Sequence, residues 1–575
     1  MSQTYMHYAT SSSLPSDYAI LSRYAAARSL DENTNTIASN EELEAKPSDA
    51  SSTHQRRSNF PTPFIRPLNP TIASRPDTSV APVTLANEFT PLLVPRIEEE
   101  SDDLPGAAGE HAPRSLFWEE LRILMKYTLP VYGTHVLEYS FVIASVVSLG
   151  HLSTTALAAS TLGSMTASVS GFSIIQGFTS TLDTMLPSAW TSSHPELVGL
   201  WSQRMAVVMS ITLIPIFAIW FSSESILLGL RQDPEVAHLA AVYLKWVSIG
   251  LPAYAFNCIS RRYFQSQGLF AVPTRVISAI APINALLNYL LVWGPKPISL
   301  GFIGAPIATA ISFNLVSLVS IAYGVWFVPR TAWHPLSRRS FTNLGLLVQL
   351  GLAGVGQTAS EWWSWELIGH RSLGPVALAT QSVLLVSAST AFQAPFALSV
   401  AASVRIGNLL GEQNAKRAAL TTQISLLLAL ALAGISSTIF LVFRHSWGYL
   451  FNNDPAVIAL VASILPLVSL FQVFDALSAV TGGVLRARGK QFTGALLNLS
   501  AYYVIGIPFG LWLTFRCGMK LQGLWIGLTV SLVYCAVVGV HLCLATDWDV
   551  EVRKVMDRLA MDKQGHQDIE QSSHS

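Results

Sequence analysis

From residue 116 onward the chain alternates between apolar stretches of roughly 20 residues and short polar connections. That spacing reads as repeated crossing of a bilayer, because about 20 helical residues at 1.5 Å each cover a hydrocarbon core about 30 Å thick. Twelve helices are predicted, near residues 124–149, 156–186, 203–222, 236–258, 273–294, 302–328, 342–369, 374–402, 418–443, 456–480, 492–515 and 523–545. The second and eighth are long enough to require tilt or a break. Residues 1–115 show neither a helical nor a strand period and are rich in Ser, Thr, Pro, Asn and charge, so they read as a disordered tail. The first thirty residues have no apolar core behind a positive start, so the tail is expected to stay on the protein, in the cytosol.

The polar connections set the orientation. With the N-terminus inside, the inner loops hold Arg204, Arg261, Arg262, Arg275, Arg330, Arg338, Arg339, Arg405, Lys416, Arg417, Arg486, Arg488 and Lys490. The outer loops hold only Arg231, Lys296, Arg371, Arg444, Arg516 and Lys520. Excess Lys and Arg on one side marks the cytosol, and an even number of helices returns the C-terminus to it.

The two halves repeat. Ala156-Leu157-Ala158 matches Ala377-Leu378-Ala379, Asp233-Pro234 matches Asp454-Pro455, and Gly268 matches Gly489, each pair 221 residues apart. Six crossings per half bring both halves into the membrane in the same orientation, so the repeat is parallel. The expected fold is an all-α polytopic membrane protein with twelve transmembrane helices in two six-helix lobes. The N-terminal lobe spans 116–335, the C-terminal lobe 336–546, and a cytosolic tail 547–575. Such paired lobes suit alternating access around a central site.

Composition narrows the function. Of 575 residues, 51% are hydrophobic and 12% charged, too apolar for an ordinary soluble domain. A net charge of +0 leaves no basic field for nucleic acid. Cys258, Cys517, Cys535 and Cys543 have no metal-site spacing, and the chain carries no HExxH, GxSxG or helical His pair, so neither an enzyme nor a metal or other cofactor is expected.

Ionisable groups inside membrane helices cost roughly 2.5 to 3.5 kcal/mol or more each, and those predicted here are acidic: Glu361, Glu366, Asp475, Asp183 and Glu138. A buried carboxyl is pushed towards its neutral form, and a cation beside it restores the charge, so such a group can exchange a proton for a cationic substrate. Glu361 and Glu366 lie about 140° apart around their helix, which allows one to bind and the other to brace. Trp362 and Trp365 could offer cation-π faces to a substrate, or mark the membrane interface. Glu361 could equally be a carboxyl held by hydrogen bonds between helices. Gly133 and Glu138 align with Gly356 and Glu361 at an offset of 223, which suggests a second protonation site in the N-terminal lobe or a buried polar contact. Pro130 and Pro282 are expected kinks.

Residues 117–548 resemble the eukaryotic (fungal-like) multidrug and toxic compound extrusion (MATE) family. The resemblance is carried by Glu361-Trp362-Trp363-Ser364-Trp365-Glu366, by Ser399-Val400-Ala401-Ala402-Ser403-Val404-Arg405-Ile406-Gly407-Asn408, and by Gly482-Gly483-Val484-Leu485-Arg486. Arg231-Gln232-Asp233-Pro234 and Leu182-Asp183-Thr184 support it. It implies a secondary active antiporter that exports organic cations, drugs or toxic metabolites in exchange for protons. The seventh-helix glutamates would serve the substrate and proton site, with Asp475 where animal members carry an acid. The partners implied are a small-molecule substrate, protons and the lipid bilayer, and the chain is expected to act as a monomer. A sodium-coupled exporter or a lipid-linked sugar flippase of the same superfamily is the alternative. Two features depart from the family pattern: Pro187-Ser188-Ala189-Trp190-Thr191 follows Asp183 in place of an aromatic-Gly pair, and Glu138 is not a family residue.

In the tail, Glu88-Phe89-Thr90-Pro91-Leu92-Leu93 resembles an acidic dileucine sorting signal. Glu88, Leu92 and Leu93 would direct the protein to the vacuolar membrane, with the plasma membrane as the alternative address.

Overall fold

The computed structural model describes residues 113–150, 152–368, 375–451 and 454–560. Within that range the side chains of residues 113, 114, 154, 361, 362, 364–368, 375 and 378 are outside the description. The tail signal at Glu88, Leu92 and Leu93 also falls outside the described residues.

Among the described residues there are helices and no strands. Twelve crossings follow one another. They are α1 (Pro113–Gly150), α2 (residues 154–190), α3 (Leu197–Phe221), α4 (Pro234–Ser266), α5 (Ala271–Trp293), α6 (Gly301–Phe327), α7 (Leu344–Ile368), α8 (Pro375–Gly411), α9 (Ala415–Val442), α10 (Pro455–Ala487), α11 (Gln491–Phe515) and α12 (Lys520–Leu544). The long second segment is the one that breaks: α2 has a π-helical turn at Ser168–Phe172 and a second interruption before Leu182–Trp190. The eighth runs unbroken for 37 residues despite Pro395.

The internal repeat extends to the helix caps. Asp233 accepts hydrogen bonds from the backbone N–H of Glu235 (3.0 Å) and Val236 (3.3 Å), and Asp454 accepts one from Ala456 (2.9 Å). Each aspartate precedes a proline at the first helical position, where no intrahelical N–H is needed. At the other end Gly268 (φ 82°) and Gly489 (φ 71°) reverse the chain in the left-handed region that glycine tolerates. The same cap-to-stop signals therefore frame two 33-residue helices, α4 and α10.

Without water between them, membrane helices associate through close packing of small residues. The seam between α2 and α7, which joins the two lobes, follows this rule. A Cβ on Gly177 would lie 2.4 Å from Val355 Cα, and one on Gly354 would lie 2.3 Å from the Gly177 carbonyl oxygen. Only glycine lets these backbones approach. Aromatic packing fills each lobe: Phe172 meets Tyr254 at 4.5 Å in the first, and Phe471 meets Trp525 at 5.4 Å in the second.

The segment expected to be a C-terminal tail begins with a thirteenth helix, α13 (residues 548–560). Asp547 caps it by accepting from the N–H groups of Asp549 and Val550. Buried Glu551 then receives Arg488 (3.3 Å), Lys490 (3.2 Å) and Lys554 (3.1 Å). Leu559 packs against the cores of both lobes. Burial pushes the Glu551 carboxyl up, but Lys554, Arg488 and Lys490 more than offset it and hold it below the ordinary 4.5. A depressed carboxylate stabilises docking at pH values above its ordinary pKa, and that stabilisation is lost as pH falls through the lower folded value. A spin label at exposed Asp557 should therefore become mobile on acidification, whereas Glu551→Gln should be mobile already at neutral pH. An immobile label in the Gln variant at neutral pH would show that the ion cluster does not hold α13.

Candidate functional site

Each lobe encloses a cavity, and the repeat builds both. In the N-terminal lobe an empty volume of about 370 Å³ is lined from α1, α4, α5 and α6. In the C-terminal lobe one of about 670 Å³ is lined from α7, α8, α10 and α11. Five lining positions correspond one to one at the offset of 221: Tyr254 with Asp475, Asn257 with Ser478, Cys258 with Ala479, Arg261 with Gly482, and Ile277 with Asn498. The walls are equivalent and their chemistry is not. Where the first lobe has a phenol, a thiol and a guanidinium, the second has a carboxylate and two side chains of minimal size. Smaller side chains leave a larger cavity.

Glu138 lies in the first cavity, where Arg261 grips it with both terminal nitrogens, Nη1 to Oε2 at 3.1 Å and Nη2 to Oε1. His135 Nδ1 stands 3.8 Å from the same carboxylate. Charge inside this cavity is thus balanced locally. Asp475, only 7% exposed, lines the second cavity with Phe392, Phe396, Gln357 and Asn498. The Asn498 amide donates to the Gln357 carbonyl (2.9 Å), tying α11 to α7. Glu361 follows Gln357 by four residues on α7, one turn further along the same face. The side chains of Glu361, Glu366, Trp362 and Trp365 lie outside the described residues. The neighbouring Trp363 indole donates to the Val169 carbonyl across the seam (3.1 Å).

Asp183 is not brought to either cavity. It sits between the lobes, accepting from Arg262 Nε of its own lobe (2.9 Å) and lying 3.6 Å from Arg486 Nε of the other. Beside it the Thr184 hydroxyl donates to the Arg486 carbonyl (2.5 Å) and accepts from the Gln491 amide (2.7 Å). The unusual stretch Pro187–Thr191 packs here against Gly407 and Gly411 of α8, and Thr191 donates to the Asn408 carbonyl (3.0 Å). A second ion cluster joins the same ends. Arg405 donates through Nε (2.9 Å) and Nη2 (2.6 Å) to Glu120 of α1, which also receives Arg417 (2.9 Å) and the Thr421 hydroxyl (3.1 Å). Glu120 is 0% exposed and Arg405 2%.

These arrangements correct two sequence expectations. Arg204, Arg261, Arg262, Arg275, Arg405, Lys416, Arg417 and Arg486 belong to helices rather than to loops. The embedded charge is also not mainly acidic, because Glu138, Asp183 and Glu120 each meet arginine. Hydropathy ends a predicted helix at its first charges, whereas the folded helix continues because a partner waits on another helix. The clusters lie at the ends of the lobes that the Lys and Arg bias assigns to the cytosol, so the lobes are latched together there.

Among the described residues no group of His, Cys, Asp or Glu is placed to hold a metal ion. Comparison with known proteins places the architecture. The MatE family model matches residues 130–290 and 357–512, one segment in each lobe. An uncharacterized transporter of Schizosaccharomyces pombe is 38% identical over 84% of this chain and 91% of its own length. Multidrug and toxin extrusion protein 1 of Homo sapiens is 31% identical over 76% of each chain. The crystal structure of the eukaryotic MATE transporter AtDTX14 superposes with a TM-score of 0.73 at 30% identity, covering 77% of this chain and 99% of that one. Two lobes of six helices, matched half by half to the family model and along most of their length to these relatives, establish that the chain belongs to the eukaryotic MATE family of multidrug and toxin extrusion transporters.

Proposed function

We propose that this transporter exports organic cations, drugs or toxic metabolites in exchange for protons, with the cavity of the C-terminal lobe as its substrate site. The observation that carries the reading is Asp475. It is a buried carboxylate on the wall of a cavity also lined by Phe392, Phe396 and Arg486, and Gly482 stands where the other lobe places Arg261. In the proposed exchange this carboxyl gives up a proton as a cationic substrate binds beside it. Glu361, one turn beyond Gln357, is proposed as its partner on α7, with Glu366 as a brace and Trp362 and Trp365 as substrate contacts. The latch of Glu120, Arg405, Asp183 and Arg486 closes the cytosolic end, so opening to the cytosol requires it to part.

The direct test is uptake of a fluorescent organic cation into proteoliposomes under an imposed pH gradient, comparing the intact protein with Glu361→Gln. Uptake should collapse when the gradient is dissipated and should be lost in the variant. Uptake that survives both, or that follows a sodium gradient instead, overturns proton coupling at this site.

We further propose the vacuolar membrane as its address, through Glu88, Leu92 and Leu93. A fluorescent fusion carrying Leu92→Ala and Leu93→Ala should shift from the vacuolar to the plasma membrane. An unchanged distribution would remove the motif from the explanation.

A further inference from the structure

The connection between the lobes does not hang free. Its residues 330–342 wrap the first turns of α3, where Gln203 donates to the His334 carbonyl (2.5 Å) and accepts from the Ser340 hydroxyl (2.8 Å). Arg204 donates to the Arg339 carbonyl (3.3 Å) and to the Thr342 hydroxyl (2.9 Å). Gly199 permits the approach, since a Cβ there would lie 2.5 Å from the backbone nitrogen of His334. Between the wrapped segment and the helix lies an empty volume of about 600 Å³. One wall is a single stripe of α3, Gln203, Val207 and Ser210, spaced i, i+4 and i+7. The opposite wall is Leu336, Ser337 and Phe341.

Three features point to one kind of occupant. The stripe does not end with the cavity: it continues along α3 through Ile211 and Ile214, both more than half exposed on an apolar membrane helix, so a groove runs from the pocket into the hydrocarbon. The pocket end holds the Ser337 hydroxyl, which is buried and has no hydrogen-bond partner among the described residues. A buried hydroxyl left unpaired is unfavourable. The wrapped segment itself, residues 328–343, carries Arg330, Arg338 and Arg339 and no acid, while its Trp333, Leu336 and Phe341 are exposed as interface anchors. The nearest acid along α3, Glu196, is engaged by His194 at 3.1 Å.

We propose that this groove binds one anionic phospholipid of the cytosolic leaflet. Its headgroup takes the Ser337 hydroxyl and the exposed Arg338, and an acyl chain lies along Val207, Ile211 and Ile214. Basic pockets at the cytosolic surface of membrane helices take anionic headgroups in this manner, at about 1 kcal/mol per basic residue. The bound lipid would clip the inter-lobe connection to α3, at a point where movement of one lobe against the other must be absorbed.

Native mass spectrometry of the full-length protein in mild detergent, offered equal phosphatidylglycerol and phosphatidylcholine, tests the assignment. The wild-type protein should retain one phosphatidylglycerol with about fivefold preference. Arg338→Gln should lose the preference while still retaining lipid. Ser210→Trp, which fills the groove from an exposed helix position, should lose the lipid itself, with thermal melting of both variants confirming that they fold. Excess inorganic phosphate should not displace the lipid, because the acyl chain holds it. Equal retention of the two lipids by the wild type, unchanged retention in Ser210→Trp, or displacement by phosphate would each overturn the proposal.

Discussion

Replacing Arg405 by Met should destabilise the folded transporter by about 3 to 5 kcal/mol, because it leaves the fully buried Glu120 without its bidentate partner in the latch between the lobes. Met fills much of the space of the arginine stem, so lost packing contributes little; the unpaired carboxylate dominates. Arg417 and Thr421 also bond to Glu120, but Arg417 is closer to solvent and is shared with Glu119. Adding Glu120→Leu to Arg405→Met should recover most of the loss, since a buried ion pair replaced by apolar groups is often neutral. The check is thermal unfolding in detergent of the two single variants and the double variant, read as a mutant cycle. Losses that simply add would mean that the two groups are not coupled. A double variant that folds but no longer transports would show that the latch is needed for the cycle rather than for the fold.

Asp475→Asn should lower uptake of a cationic substrate by about ten- to a hundredfold, the size expected when a hydrogen-bonded charge of about 1.5 to 3 kcal/mol is lost. Its melting temperature should stay close to that of the intact protein, because the amide keeps the shape of the carboxyl. Glu138→Gln should behave in the opposite way. It withdraws the carboxylate from buried Arg261, so stability falls first and transport only through it. The contrast separates the two lobes by readout. If Asp475→Asn melted early with uptake per folded molecule intact, the acid would be structural and the substrate site would lie elsewhere.

Much of the architecture is legible in the residues because its signals are local. Asp233-Pro234 and Asp454-Pro455 declare helix starts, Gly268 and Gly489 declare stops, and their common spacing declares the repeat. What hydropathy hides is any helix that continues past a charge. The eighth helix was expected to end near residue 402 and runs to Gly411, carrying Arg405 inside it. Glu120, 285 residues earlier, is the reason, and no local pattern announces a partner that far away. The same blindness hides the partners of Asp183, which Arg262 and Arg486 hold in the seam. Asp475 stands out in the sequence because its neighbours are apolar, and the structure places it on a cavity wall. Gln357 and Asn498, neutral and therefore unremarked among apolar residues, were missed although they line the same cavity.

The latch pairs are exchanged reciprocally rather than repeated. The first half lends Glu120 to Arg405 of the second, and the second lends Arg486 to Asp183 of the first. None of these four has a like-charged counterpart in the repeat: Glu120 maps to Asn343 at the first-helix offset of 223, and Asp183 maps to Val404, Arg405 to Thr184 and Arg486 to Gln265 at the offset of 221. The two halves are complementary rather than identical at these positions. A chimera built from two copies of the second half would bury Arg405 with no acid to meet it. The ancestral symmetry survives in the caps and cavity walls, while the surfaces by which the halves know each other have diverged into lock and key.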